Sequence, residues 1–290
     1  MASTTTSAKY SLASTITLNN GVRMPLIHLG VYMTSGSECS KAVTAALENG
    51  YRAIDSAQWY ENEAEVGGSI KKFLASEKGK GLQREDIWFT TKLKSNVGYD
   101  ATRKCIKESL RKSGMQWLDL YLLHSPYGGK AKRLECWRAV EDAIAEGEVR
   151  AGGVSNYGVK HLQELLDSQP KIKPAVNQIE VHPFNTRTDI TSFCQQNDIT
   201  VEAYAPLARA MRMSHPQVVK LSKKYGCTPA QLLVRWSLQH GYVPLPKSVK
   251  EKRIVENAAI GGFEIEEEDV KALDACDEYL VTDWDPTDTD

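Results

Sequence analysis

Apolar residues in this chain follow two alternating patterns. Short, mostly apolar runs occur at Ile27–Tyr32, Arg52–Ser56, Ile87–Lys92, Leu118–His124, Arg150–Ser155, Ala175–Val181, Thr200–Ala205 and Val243–Pro246. Runs of this length, bounded by turn residues and apolar on both faces, predict strands buried in a parallel sheet. The segments between them repeat every three to four residues. Val159, Leu162, Leu165 and Leu166 share one helical face, and Trp137, Val140 and Ile144 share another. Val218, Leu221 and Tyr225 do the same ahead of Gly226, and Thr228-Pro229-Ala230-Gln231 has capping-box spacing with proline at the first helical position. Two helices therefore separate the seventh and eighth strands. Ile254–Ala259 fits the eighth helix and Glu266–Glu278 one more, followed by an acidic, irregular tail over Val281–Asp290.

Ahead of this alternation, Thr15–Leu18 and Val22–Pro25 flank Asn19-Asn20-Gly21. This reads as a β-hairpin placed to plug the bottom of a barrel. Its Asn-Gly pair predicts a type I′ turn with two positive φ values. Residues 1–13 are small and polar with no period, and predict a disordered segment. Eight strands alternating with helices predict an α/β fold, a closed (β/α)8 TIM barrel, as one domain over residues 14–290. A doubly wound open sheet would carry a glycine-rich phosphate loop after its first strand. Here that strand reads His28-Leu29-Gly30-Val31-Tyr32. The length of 290 residues suits one barrel of about 250 residues with additions.

Charge and composition narrow the function. A net charge of −1 offers no basic field for nucleic acid or an anionic membrane. No apolar run approaches the ~20 residues of a membrane span. The opening residues 1–7 lack the apolar core of a signal peptide. Six cysteines, at 39, 105, 136, 194, 227 and 276, form no CxxC pair and predict reduced thiols. With no glycosylation sequon, these features suggest a cytoplasmic address and a monomer or weak homodimer.

In a barrel the carboxyl ends of all strands meet at one face, where chemistry collects. The stretch Ala53–Gly67 organises that face. Its strand ends on Asp55, its loop delivers Tyr60, and Asn62 starts a helix carrying Ala64, Val66, Ile70, Phe73 and Leu74. The other strand ends bring Lys92, His124, Ser155 with Asn156, Gln178, Tyr204, and Lys247 with Ser248. Each buried polar group costs about 1–3 kcal/mol unless paired, so core packing explains them poorly.

These groups can perform carbonyl chemistry. A phenol of pKa ~10 is a poor acid at neutral pH. A lysine ammonium ~4 Å away, at an effective dielectric constant of ~20, contributes about 4 kcal/mol toward lowering it. Asp55 keeps Lys92 charged, neutral His124 donates to a carbonyl oxygen, and Tyr60 protonates that oxygen as hydride arrives. This chemistry needs no metal, and the sequence offers no ligand cluster: His124 and His182 lie on different strands without carboxylate spacing. Taken singly, the residues fit other roles. Lys92 with Asp55 can be a structural ion pair, His124 a satisfied core histidine, Lys247 and Arg253 solvated charges. A Schiff-base lyase or aldolase could use Lys92 or Lys247, and a non-catalytic cofactor-binding protein could share the scaffold.

The segments GYRAIDSAQWYENEAEVG, TTKL, LDLYLLHSP, GVSNYG, PAVNQIEVHP, AYAPLA and LPKSVKEKRIVEN together resemble the aldo-keto reductases over about residues 14–284. The resemblance implies an NADPH-dependent enzyme that reduces aldehydes and ketones to alcohols. It places a catalytic tetrad on Asp55, Tyr60, Lys92 and His124, and nicotinamide carboxamide contacts on Ser155, Asn156 and Gln178. It puts the aromatic under the nicotinamide at Tyr204 and the adenosine-phosphate clamp at Lys247, Ser248, Arg253, Glu256 and Asn257. Gly30, Val31, Tyr32, Ala205, Leu207 and Val249 join the implied cofactor contacts. Tyr32, Trp59, Tyr127 and Trp284 are expected to surround an open mouth for a small carbonyl substrate. The chain departs from the family's pattern at Tyr32 and Ser125, where many members carry tryptophan, and in its short Pro126–Glu135 loop and short tail. These departures concern the substrate.

Overall fold

The computed structural model describes residues 10–290. Strands β1 (Thr15–Thr17) and β2 (Arg23–Pro25) pair antiparallel, Ile16 facing Met24. The turn between them differs from the type I′ expectation. Gly21 N–H donates to Leu18 O and Leu18 N–H to Val22 O, enclosing a three-residue loop. Gly21, at φ 82°, has a positive φ and Asn20 does not. One left-handed glycine after a tight turn satisfies the three-residue connection.

The eight expected strands all form: β3 (Leu29–Gly30), β4 (Ala53–Asp55), β5 (Trp88–Leu93), β6 (Leu118–Leu123), β7 (Val149–Ser155), β8 (Val176–Glu180), β9 (Thr200–Tyr204) and β10 (Val243–Leu245). They lie side by side in chain order and every pair is parallel. A bridge between Gly30 and Lys247 joins the two ends, with Gly30 N–H on Pro246 O and His28 N–H on Pro244 O. A Cβ at Gly30 would stand 3.2 Å from the Leu245 carbonyl oxygen, so glycine lets the last strand approach.

Among the described residues ten α-helices accompany the strands: α1 (Gly36–Glu48), α2 (Glu63–Leu74), α3 (Tyr99–Ser113), α4 (Lys130–Ala145), α5 (Val159–Asp167), α6 (Thr188–Gln196), α7 (Pro216–Tyr225), α8 (Pro229–Gln239), α9 (Glu251–Ala258) and α10 (Glu267–Asp274). The capping box of α8 forms as its sequence predicts, Thr228 and Gln231 exchanging side-chain-to-backbone hydrogen bonds. Helix α10 stops short of the expected Glu278. The N–H groups of Glu278 and Leu280 both bond to Phe184 O instead, which pulls the chain away from helical geometry. On α2, Ala64 is exposed and Glu63 takes the buried position, accepting from Thr91 Oγ1 at 2.7 Å.

Inside the barrel, Leu18 and Met24 of the hairpin pack beneath Ala53, Trp88, Leu120, Leu122 and Val243. The hairpin thus stoppers the amino end and leaves the opposite face for polar groups. Of the segment expected to be disordered, residues 1–9 lie outside the described residues. Within residues 10–13, Tyr10 and Leu12 pack against the fold: the Arg235 guanidinium sits 4.7 Å from the Tyr10 ring centroid, and Leu12 joins the core margin. The tail after α10 is irregular, as expected, yet docked. Thr282 donates to Glu180, Arg187 binds Asp285 and Thr287, and Lys160 reaches Asp288 O. Among the described residues no helix is long and apolar enough to cross a membrane. All six cysteines are free thiols.

Helices α2 and α3 meet at Gly67, where a Cβ would fall on the Ser113 backbone carbonyl, whereas a Cβ at neighbouring Gly68 meets open space. Gly67→Ala is expected to lower stability by about 1–3 kcal/mol through overpacking. Gly68→Ala should be neutral or stabilising by up to about 1 kcal/mol. Urea unfolding of the two variants checks the contrast.

Candidate active site

The site begins with a buried ion pair. β4 runs to Asp55 and β5 carries Lys92 beside it, because an inward position on a barrel strand points to the same axis from every side. Lys92 is fully buried, its Nζ 2.6 Å from Asp55 Oδ1 and 2.7 Å from Ser56 O. Gln178 on β8 donates to Asp55 Oδ2 at 2.9 Å.

Tyr60 ends a short 3-10 turn, Gln58–Tyr60. Gln58 anchors this turn, donating to Cys105 O and Ser109 Oγ and accepting from Lys94 N–H. Asn62 flanks α2, but its side chain makes no cap bond. It donates to Val31 O and Thr34 O and accepts from Ser56 Oγ, tying the first barrel loop to the second. The Lys92 ammonium stands 5.0 Å from the Tyr60 ring centroid.

The expected lowering of the Tyr60 pKa by Lys92 is not what this geometry produces. Burial pushes the Tyr60 phenol well above its ordinary range, and the Asp55 carboxylate adds to the effect. Lys92 is turned toward Asp55 and Ser56 O, so its charge is largely answered there. Tyr60 is therefore a fully protonated donor at neutral pH. His124 lies beside it, ring centroids 5.8 Å apart and edge to face. Burial, then the nearby Lys92 charge, lowers the His124 pKa well below its usual value, so the ring is neutral. Its Nδ1 is buried without a partner.

The next three strand ends form one hydrogen-bonded patch. Ser155 Oγ donates to Gln178 O at 2.9 Å, and Asn156 Nδ2 to His124 O at 3.0 Å. Tyr204 OH donates to Asn156 Oδ1 at 2.8 Å. Asn156 has φ 60°, a conformation that asparagine tolerates better than most residues.

These groups open into a cavity of about 1230 Å³. Asp55, Tyr60 and His124 line it at the barrel mouth, and Lys247, Ser248, Val249, Arg253, Glu256 and Asn257 line its far arm. Gly30, Tyr32, Ser155, Asn156, Gln178, Tyr204, Ala205 and Leu207 lie between. Trp59, Tyr127 and Trp284 rim the entrance, Tyr127 and Trp284 with centroids 5.7 Å apart. Two of the sequence-derived residues do not line the cavity. Lys92 sits beneath its floor, and Val31 is buried in the core with its carbonyl engaged by Thr34 and Asn62. Among the described residues there is no cluster of three or more His, Cys, Asp or Glu side chains fit to hold a metal.

The family model for the aldo/keto reductases matches residues 29–278. The chain belongs to the aldo/keto reductase family. An uncharacterized oxidoreductase of Schizosaccharomyces pombe is 45% identical, the match covering 95% of this chain and 98% of that one. Glyoxal reductase of Bacillus subtilis is 42% identical over 91% of this chain and 93% of its own. The crystal structure of a Bombyx mori aldo-keto reductase in complex with NADP superposes with a TM-score of 0.87 at 32% identity, covering 93% of this chain and 94% of that one. NADP(H) is the family's cofactor.

The structure of this aldo/keto reductase adds site residues that sequence reasoning missed. Arg209 and Asp283 pair at 2.6 Å across the cavity wall, and the Arg209 guanidinium lies 5.4 Å from the Tyr32 ring centroid. Ala205, Ala208, Arg209 and Ala210 all have positive φ, a strained loop that no glycine in the sequence announced. The tail brings Trp284 to 6.3 Å from His124, ring to ring. Asp285 holds that tail through Arg187, Thr287 and Tyr279. Asp285→Ala should therefore free the segment after Tyr279, speeding its cleavage in limited proteolysis at least several-fold while cleavage elsewhere is unchanged.

Proposed function

We propose that this aldo/keto reductase reduces aldehydes and ketones to alcohols with NADPH, using Tyr60 as the general acid. The observation that carries this reading is the buried Lys92–Asp55 pair, set under a protonated Tyr60 and a neutral His124 at the floor of a cavity large enough for a dinucleotide and a small substrate.

The donor set fits the cofactor. Gln178 spends both amide hydrogens on buried carboxyl groups, which leaves its Oε1 to accept from a carboxamide. Ser155 and Asn156 stand beside it, and Tyr204 offers a ring face. At the other end Lys247 and Arg253 match a 2′-phosphate, Arg253 as a planar fork and Lys247 as a point charge. Ser248 and Asn257 add neutral hydrogen-bonding groups, and Glu256 suits the adenine amino group.

When bound, NADPH supplies the hydride that reaches the carbonyl carbon. The chain's own groups do the rest. His124 positions the carbonyl oxygen by donating an N–H, and Tyr60 gives its phenolic proton to that oxygen as negative charge develops there. Lys92 balances the phenolate that remains and is itself held charged by Asp55. The single unit over residues 14–290 carries every group in this scheme. A Schiff-base role for Lys92 is disfavoured by its position, because the ammonium is buried below the floor and bonded on two sides. The aromatic rim of Tyr32, Trp59, Tyr127 and Trp284 favours broad acceptance of small aldehydes and activated ketones. The identity to a glyoxal reductase supports small dicarbonyls within that range.

Screening a carbonyl panel while following NADPH absorbance tests the reading. Turnover of simple aromatic and dicarbonyl aldehydes is expected, and no turnover on any carbonyl would overturn it. Tyr60→Phe should lower kcat by about 10²–10⁴-fold with NADPH affinity nearly intact. Wild type should favour NADPH over NADH by roughly 10²-fold, from two charge-assisted contacts of about 1.5–3 kcal/mol each. Joint Lys247→Ala and Arg253→Ala substitution should erase most of that preference by weakening NADPH alone. Tryptophan-fluorescence titrations with both cofactors read this directly.

A further inference from the structure

Beneath Gln178 the barrel holds a second carboxyl group that the scheme above does not use. Glu202 lies on β9 and is fully buried. Its Oε2 accepts from Gln178 Nε2 at 2.7 Å, the same amide nitrogen that donates to Asp55 Oδ2. Its Oε1 has no hydrogen-bond partner, and neither does the nearby His28 Nδ1, although the two atoms stand 3.5 Å apart. His28 is fully buried as well.

The hydrogen bookkeeping of this pair has few solutions. His28 Nε2 lies 3.0 Å from Pro25 O, and a carbonyl oxygen only accepts, so Nε2 carries a hydrogen. If His28 is neutral, Nδ1 is then a bare lone pair aimed at Glu202 Oε1. A carboxylate there would set lone pair against lone pair. One proton resolves the clash, either on His28 as imidazolium or on Glu202 as carboxylic acid.

The charged and titratable groups facing Glu202 decide between them. They are His28 ahead of β3, Asp55 on β4 and Lys92 on β5, with the neutral Gln178 on β8. The one cation, Lys92, is already bonded to Asp55 and Ser56 O. An imidazolium–carboxylate pair would place two more charges in the dry interior, and a desolvated ion pair recovers its desolvation only with close, well-formed bonds. Charge-assisted N–H···O bonds run at about 2.7–2.9 Å, and 3.5 Å is far longer. Burial and then the Asp55 charge push the Glu202 pKa up to about 8, and burial brings His28 down to about 4, in the same sense as the geometry.

We infer that Glu202 is a neutral carboxylic acid at neutral pH, keeps its proton on Oε1 facing the His28 Nδ1 lone pair, and serves as a positioning residue for Gln178. Tied to Glu202 and Asp55, the Gln178 amide cannot flip and keeps Oε1 toward the nicotinamide end of the cavity. Neutral Glu202 also leaves Asp55 as the sole anion beside Lys92. The protonation state stands independently of the proposed activity, whereas the positioning role rests on Gln178 contacting the nicotinamide.

Infrared difference spectroscopy of the wild type against Glu202→Gln, both without cofactor, reads the protonation directly. A carboxylic-acid C=O band is expected near pH 6.5 in the wild type alone, fading as pH rises through about 8. Its absence would overturn the assignment. Because the folded state holds a proton that the unfolded state releases at its ordinary pKa, stability should fall with pH up to about 8. Between pH 6.5 and 8 the wild-type Tm should therefore drop more than that of Glu202→Gln; parallel curves would count against the proposal. Glutamine keeps an acceptor for Gln178 and a donor for His28, so NADPH affinity should be rescued within about threefold. Glu202→Leu strands the Gln178 donor and should weaken NADPH about tenfold or more, the equivalent of a lost buried hydrogen bond. A fold-independent check is the pH dependence of NADPH affinity, which should weaken above pH 8 in the wild type and not in Glu202→Gln. Identical pH profiles would remove the positioning role even where the infrared band is present. Loss of carbonyl turnover with both signatures intact would instead strike the proposed activity alone.

Discussion

Everything at the carboxyl end of this barrel depends on one ion pair held out of water. Removing one member of such a pair costs roughly 3–5 kcal/mol, because the survivor stays buried and uncompensated. Lys92 and Asp55 meet that constraint by saturation. The ammonium has the carboxylate and the Ser56 carbonyl, and the carboxylate has the ammonium and the Gln178 amide. Gln178 in turn is held by Glu202, whose other carboxyl oxygen faces His28. Four strand positions and the segment before the first barrel strand are thereby tied together by one need for charge balance. Tyr60 and His124 stand on a floor whose polar groups have little freedom to rearrange.

The loops above that floor are held by side chains that serve the backbone. Gln58 fixes the turn that presents Tyr60, and Asn62 stitches it to the first barrel loop. A tyrosine positioned in this way loses little orientational freedom when a ligand arrives, which favours reaction in the bound geometry. The loop with four positive-φ residues between Ala205 and Ala210 has the opposite character. It is strained, it contributes Arg209 to the cavity wall, and it is joined to the tail by Asp283.

Much of this was legible in the sequence, for identifiable reasons. The eight strands showed because strands buried on both faces leave continuous apolar runs, and the polar residues ending those runs marked the site. Features set by competition between distant groups were not legible. Nothing local says that Phe184 O will take the N–H groups of Glu278 and Leu280 and end a helix early. The hairpin turn was misread because Asn-Gly satisfies two loop lengths. The direction of the Tyr60 shift is not legible because burial, its largest cause, is set by the tertiary fold. Glu202 left a trace that was overlooked: it is an acid within the otherwise uncharged strand Thr-Val-Glu-Ala-Tyr.

The hairpin under the barrel has a consequence for traffic. With Leu18 and Met24 packed under Ala53, Trp88, Leu120 and Leu122, the amino end is filled by side chains, and the cavity lies against the carboxyl ends of the strands. On the proposed reading, the nicotinamide end of the cofactor lies on the floor and the carbonyl compound lies above it. A compound lying above the nicotinamide on such a floor would arrive after it and leave before it. The order of binding and release would then follow from where the chain placed its stopper, without any regulatory element to impose it.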